Sequence, residues 1–374
     1  MRRCAPLILL WIPATLCFGA DSRDWDDCTG DDLDTKVAGC TRIINNKGEA
    51  QLNRARAHNF RANALRLKAM LDAALADYNE AIRLNPRYVF PYNGRGLTWR
   101  LKGELELAIA DFSEAIRLDS KYPKTYNNRG DAWLFKGELD RAVADFNEAI
   151  GLEPKYSLAY FNRGLAWRSK GELERAIADF SEAIALEPKN AYAYFNRGLT
   201  WRAKGDANRA IDDFNEAISF DSKFEMAYLN RGLTNLYAEG GPAKALADIS
   251  EASELDPRNA YFALWNDIVR QRMGIPSVLT QMVTNIDMTK WPAPVLRLFS
   301  GQLTPAKLLA AANDPEARGV RAATCEANFY SAIVAIRQRE EEEARRLFQV
   351  AADRCPLATI EWYAANQEFK HLHR

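Results

Sequence analysis

The residues best suited to chemistry in this chain are few and poorly placed for it. Its 374 residues include three histidines, His58, His371 and His373. General acid–base catalysis needs a group that titrates near the working pH, held within hydrogen-bond reach of what it serves. His371 and His373 fall in the last four residues, where chain ends fray. His58 stands alone at an apolar place of a helical pattern, so packing is its expected role. There is no GxSxG elbow, Walker loop, HExxH or dinucleotide fingerprint. No CxxC pair lies beside a histidine to hold zinc. Acid pairs such as Asp212-Asp213 recur with the period of the chain and so mark no single site. The expectation is a non-enzymatic protein with no catalytic residue, cofactor or metal.

One polar column does recur. Arg61, Arg95, Arg129, Arg163, Arg197 and Arg231 are each followed by an acid, namely Asp77, Asp111, Asp145, Asp179, Asp213 and Asp248. A site used once per protein would not appear six times. A planar guanidinium can engage a carboxylate twice. The column therefore reads as an Arg–Asp ladder linking helices within or between repeats, specifying register more than adding stability.

The elements that position this column are helices at a fixed step. Residues 157–190 show the pattern most clearly. Tyr160, Gly164 and Trp167 share one face of a first helix, which Gly171 ends. Ala176, Phe180, Ala183 and Ile184 share one face of a second, which Pro188 stops. Gly164, Ala176 and Ala183 are small where the two helices meet, so the unit is an antiparallel hairpin with one apolar seam. Gly96, Gly130, Gly164, Gly198 and Gly232 lie 34 residues apart, with Ala62 one step before. Trp99, Trp133, Trp167 and Trp201 keep the step, as do Phe112, Phe146, Phe180 and Phe214, with Tyr78 ahead of them. One hairpin cannot bury its seam alone, whereas stacked hairpins share a continuous core.

In period, form and placement of Gly, Tyr, Ala, Phe and Pro, the unit resembles the tetratricopeptide repeat. The resemblance covers residues 55–259 in six repeats. The last departs from the pattern: Asn235 replaces the Trp, and an extra residue near Gly240-Gly241-Pro242 lengthens its turn. The resemblance implies an all-α, right-handed superhelical solenoid of antiparallel hairpins whose first helices line a concave face. Partner-specific residues then stand three before and one and four after the Gly. The first of these places holds Asn93, Asn127, Phe161, Phe195 and Leu229. The second holds Leu97, Asp131, Leu165, Leu199 and Leu233, and the third Arg100, Leu134, Arg168, Arg202 and Leu236. A groove that is polar at Asn127 and Asp131 thus becomes apolar at Phe161, Leu165, Phe195 and Leu199, edged by Arg168 and Arg202. Exposed Phe and Leu are expected to bind a partner segment. The alternative is a superhelix tight enough to bury them against neighbouring repeats.

Residues 1–20 differ from the rest. Arg2 and Arg3 precede an apolar run from Ala5 to Phe18, then small Gly19 and Ala20 and an acidic stretch. This reads as a secretory signal peptide cut near Gly19 or Ala20, with an apolar run too short for a membrane span. Leu16 before Cys17 argues against a lipid anchor. The expected location is periplasmic or secreted, with no membrane span in the mature chain. Loss of the leader leaves Cys28, Cys40, Cys325 and Cys355, an even number suited to an oxidising compartment. Three pairings are possible, with four free thiols as the alternative. The sequence favours Cys28–Cys40, close together at one end, and Cys325–Cys355, at adjoining ends of two antiparallel helices. Lys+Arg and Asp+Glu both number 50, so no electrostatic binding to DNA or RNA is expected.

Residues 21–54 form an N-terminal cap carrying one cysteine pair, with Leu33, Val37, Cys40 and Ile44 at helical spacing. Residues 260–374 keep a helical texture without the period. Helices are expected at 261–273, 277–286, 295–299 and 305–312, then a hairpin at 325–356 and a closing helix at 359–372 whose outer face is polar. AYFALW (260–265), TKWPAPVLRLFSGQLTP (289–305) and CEANFYSA (325–332) resemble segments of the NlpI-like periplasmic repeat scaffolds of Gram-negative bacteria. That resemblance implies a scaffold that gathers cell-wall hydrolases and presents substrate to a protease. The expected function is a scaffold or adaptor binding protein segments in the groove. The alternatives are a regulatory subunit of a cell-envelope hydrolase or protease, and self-assembly into a homo-oligomer.

Overall fold

The computed structural model describes residues 21–238, 241–313, 320–356 and 359–372. The expected signal peptide, Gly240 of the lengthened turn, Pro315 and His373 lie outside them. The described residues are helical and contain no strand. They fall into two compact units, divided between Glu153 and Pro154.

The front unit consists of four hairpins: α1 (Ser22–Thr29) with α2 (Leu33–Asn45), α3 (Gln51–Leu67) with α4 (Leu71–Leu84), α5 (Val89–Leu101) with α6 (Leu105–Leu118), and α7 (Pro123–Lys136) with α8 (Leu139–Leu152). The N-terminal cap is thus itself a hairpin. Its first helix was not foreseen, because SRDWDDCT carries only Trp25 and Cys28 as apolar residues. The Cys28–Cys40 disulfide joins α1 to α2 across a Cα separation of 4.6 Å, and both cysteines are fully buried with Ile43 and Ala57.

The back unit opens with three further hairpins: α9 (Ser157–Ser169) with α10 (Leu173–Leu186), α11 (Ala191–Lys204) with α12 (Ala207–Phe220), and α13 (Glu225–Tyr237) with α14 (Gly241–Leu255). There follow α15 (Ala260–Arg272), the single turn α16 (Leu279–Met282) with a 3₁₀ turn at Val283–Asn285, α17 (Ala293–Phe299) and α18 (Pro305–Ala312). The chain closes with α19 (Val320–Arg337), α20 (Glu341–Arg354) and α21 (Ile360–His371). The expected helix over 277–286 is therefore a short turn. Cys325–Cys355 ties α19 to the residue after α20 at a Cα separation of 5.1 Å. Trp265, Phe262, Phe329, Tyr330 and Phe348 centre a large core in this unit, each fully buried.

The seam has a steric cause. A Cβ on Gly164 would stand 2.8 Å from the ring of Phe180, closer than side chains pack, so the small residue sets how near α9 and α10 lie. Gly171 solves a different problem. It holds φ +81° with open space around it, the left-handed conformation that closes a helix and that glycine adopts without cost.

Candidate functional site: two sets of arginines on the first helices

The recurring arginines are paired within their own hairpins. Arg95 Nε and Nη2 donate to the two carboxylate oxygens of Asp111 at 2.8 and 2.6 Å, and Arg197 does the same to Asp213 at 2.9 and 2.7 Å. Arg61–Asp77, Arg129–Asp145, Arg163–Asp179 and Arg231–Asp248 repeat the fork. The remaining nitrogen, Nη1, reaches to the preceding hairpin. Arg95 meets Asn79 at 2.6 Å, Arg129 meets Ser113 at 3.0 Å, and Arg197 meets Ser181 at 3.0 Å. One guanidinium therefore closes its own hairpin and fixes its register on the one before. Burial pushes the Asp111 and Asp213 carboxyls up, against the pull of Arg95 and Arg197. At Asp77 burial also acts upward but is outweighed by Arg61 and by His58, whose Nδ1 lies 2.8 Å from the carboxylate. His58 is thus a hydrogen-bonded member of the ladder as well as a packing residue.

A second set of arginines stands four places after the small residue. Arg100 in the front unit forms an ion pair with Asp131 of the next hairpin, and its guanidinium lies 4.6 Å from the centroid of the Phe135 ring. Burial raises the Asp131 carboxyl, opposed by Arg100. Asn127 beside it is buried. In the back unit the equivalent arginines meet no such acid. Arg168 Nη1 donates to Asn196 Oδ1 at 2.9 Å. Arg202 lies 4.4 Å from the centroid of the Tyr363 ring, is only 5% exposed, and keeps a buried Nη1 with no hydrogen-bond partner among the described residues. Burial pulls both guanidiniums down to about 10.

In the middle of the expected groove the aromatic rings are packed and not fully exposed. Phe161 is partly buried, its ring 5.7 Å from that of Phe180. Phe195 is partly buried against Phe214 and Phe224, at 5.8 and 4.7 Å. The rings three places before the Gly lean onto the second helix instead of standing free. Leu165 and Leu199 are also partly buried. Arg202 is buried because α21, expected only to close the stack, folds back over the first helices of the fifth and sixth repeats. Tyr363 covers Arg202 and meets Tyr237 edge-on at 5.8 Å. The Tyr237 hydroxyl donates to Glu368 at 2.5 Å, and Arg272 pairs with the same carboxylate. Glu361 accepts from the Tyr330 hydroxyl at 3.0 Å. Burial, helped by the charge of Glu326, raises its carboxyl to about 7. The sequence did carry a signal for this docking. Glu361 and Glu368 lie two helical turns apart on the face that also holds Ala364 and Ala365, so two acids share a buried stripe.

Between these elements the back unit holds a cavity of about 480 Å³, lined by Arg168, Leu173, Leu199, Arg202, Pro356 and Trp362 among others. Among the described residues no cluster of His, Cys, Asp or Glu is arranged to hold a metal ion, and no helix is long and apolar enough to cross a membrane.

Comparison with known proteins agrees with this geometry. A family model described as TPR repeat matches residues 100–134 and 166–205, and one described as tetratricopeptide repeat matches residues 55–88, 123–156 and 191–224. No curated protein matches the sequence. Among solved structures, the Cut9–Hcn1 hetero-tetramer of APC/C is similar in fold, with 17% identity, TM-score 0.53, and coverage of 63% of this chain and 48% of the other. A tetratricopeptide repeat protein from Parabacteroides merdae gives 16%, 0.52, and coverage of 66% and 96%. The pilF protein of Pseudomonas aeruginosa gives 14%, 0.51, and coverage of 58% and 97%. The period, the glycine-set seam, the turn geometry and the two family models make the hairpins within residues 55–224 tetratricopeptide repeats.

Proposed function

We propose that this chain is an exported, non-enzymatic scaffold that binds a segment of a partner protein on a face formed by first helices of repeats within one unit. Repeats of this kind are protein-binding modules, and solenoids present extended surfaces for the purpose. The observation that carries the reading is the contrast between a frame repeated at every step and first-helix side chains that change from step to step. The Arg–Asp fork recurs six times, whereas Asn127, Phe161 and Phe195 share one register position and Asp131, Leu165 and Leu199 another. Export is supported by a basic-then-apolar leader and by a disulfide near each end of the chain.

The test couples recovery to stability. Tagged chain is used to recover partners from an envelope extract, with Asn127→Ala, Asp131→Ala and Leu165→Ala compared with the parent, alongside melting curves for each. The expected result is one recovered partner set, reduced about tenfold or more by at least one variant that melts normally, since a few residues dominate such interfaces. Recovery that only follows melting temperature would overturn the reading. The mass of the mature N-terminus tests export, with a start near Asp21 expected.

A further inference from the structure

The two ends of α21 are fastened by different chemistry. Near its C-terminal end Glu368 is met by the Tyr237 hydroxyl of α13 and by the Arg272 guanidinium of α15. Lys370 and His371 follow at that end, and Arg345 of α20 reaches the Leu372 carbonyl there. In the first turn stands Glu361, which is buried and, among the described residues, has no basic side chain paired with it. Its carboxylate accepts instead from a neutral group, the Tyr330 hydroxyl of α19, at 3.0 Å. Glu326 lies one turn before Tyr330 on the same face of α19, so a second carboxylate stands close to the first. Glu326 accepts from the Tyr261 hydroxyl of α15 at 2.9 Å and from Trp291 Nε1 at 2.8 Å. The cation that acts on Glu361 is Arg202 of α11, itself opposed by Arg168 and covered by Tyr363. Asp353 of α20 accepts from Gln349. Two carboxylates in one buried place cannot both ionise without cost.

We propose that α21 is a proton-held strap, docked on the first helices of the fifth and sixth repeats while Glu361 is protonated and loosened once Glu361 ionises beside Glu326. The strap acts on this chain alone and needs no partner. Burial, and then the charge of Glu326, raise the docked carboxyl to about 7 from an ordinary 4.5, so the docked helix holds its proton more tightly. The stabilisation from that proton is complete below pH 4.5 and is lost as pH rises through 7. Docking should therefore weaken on the order of a hundredfold between pH 5 and pH 8. Tyr363 follows Glu361 by two residues, so the end that loosens is the end that covers Arg202. Glu368 keeps its pair with Arg272 and tethers the other end. Acid closes the strap, and rising pH opens it from its first turn.

The test is amide hydrogen exchange of the full chain, read by mass spectrometry from about pH 5 to pH 8 as protection relative to each peptide's intrinsic rate. Peptides from α10 serve as the internal reference. Protection of α21 should fall on the order of a hundredfold across this range while that of α10 stays level. Glu361→Gln cannot ionise and should keep α21 protected throughout. Glu326→Gln removes the like charge, leaves an oxygen to accept from Tyr261 and Trp291, and should shrink the fall. Glu368→Gln breaks the pair with Arg272 and should lower protection at every pH without changing its slope, which separates the proton from the tether. Protection of α21 that runs parallel to that of α10 would overturn the proposal. So would a fall that persists in Glu361→Gln, or protection of α21 that rises with pH.

Discussion

Arg100 and Arg202 occupy the same place in their repeats, yet one is answered by an acid of the chain and the other is not. In the front unit, Arg100 meets Asp131 and stacks on Phe135, which is two-thirds exposed at 66%. In the back unit, Leu233 holds the place of the acid, and a tyrosine from α21 covers Arg202 in place of solvent. The helix that covers it comes from beyond the repeats and is held by Glu368, Tyr237 and Arg272. A repeat frame thus gives identical positions different duties by changing what answers them.

The largest effects should separate the two units through their disulfides. Replacing Cys325 and Cys355 with Ser opens a loop of 30 residues, at a cost of roughly 3–4 kcal/mol on the chain-entropy account. Because Cys355 lines the cavity, the guanidinium NMR resonances of Arg168 and Arg202 should move as well. Replacing Cys28 and Cys40 should cost about 3 kcal/mol and leave those resonances in place. Non-reducing peptide mapping that joined Cys28 to Cys355 would break this division.

The two kinds of arginine should also part in stability. Arg197→Ala strands Asp213, which is buried and held by that fork, and should cost about 3 kcal/mol. Arg202→Gln removes a buried charge that no acid answers and should cost less than about 0.5 kcal/mol, or stabilise the chain. Equal losses in denaturant melts would show that Arg202 has a structural partner after all.

Smaller effects sharpen the account of the frame and of α21. Gly164→Leu drives a side chain into Phe180 and should cost about 1–3 kcal/mol. Gly171→Leu meets nothing and strains only φ, at about 1 kcal/mol. Melting curves for the pair would expose a misplaced seam if the losses were equal. At Glu361 the folded carboxyl lies near 7, above its ordinary 4.5. The folded chain therefore holds that proton more tightly. Its contribution is complete below pH 4.5 and is lost as pH rises through 7. Glu361→Gln should flatten this part of the stability–pH curve of the back unit. An unchanged slope would place the carboxyl outside the core.

How much of this was legible followed repetition. The seam at Gly164 and Phe180, the turn at Gly171 and the Arg197–Asp213 fork each occur several times in the sequence, so spacing alone located them. Packing that occurs once leaves no period. Nothing at Tyr363 announced that α21 would cross Arg202. The packing of Phe161 and Phe195 was not legible either, because register fixes a direction but not what lies beyond. Apolar content misled at residues 277–286, where one short helical turn and a 3₁₀ turn stand in place of a helix. The clue left unused was chemical. Arg168 and Arg202 face leucine at the place in the next repeat where Arg100 has Asp131, which marks them as arginines that the repeat does not answer with an acid.

The central claim, that the first-helix face receives a partner segment, is tested most directly by site-specific photocrosslinking in the envelope. A photoreactive residue replaces Leu165 on the first helix or Glu182, exposed on the second helix of the same repeat, and the products are mapped by mass spectrometry. The account predicts a discrete partner peptide joined at 165 and not at 182, with yield reduced by Leu199→Asp. Equal yields at both positions, or crosslinks at 165 only to the chain itself, would contradict it.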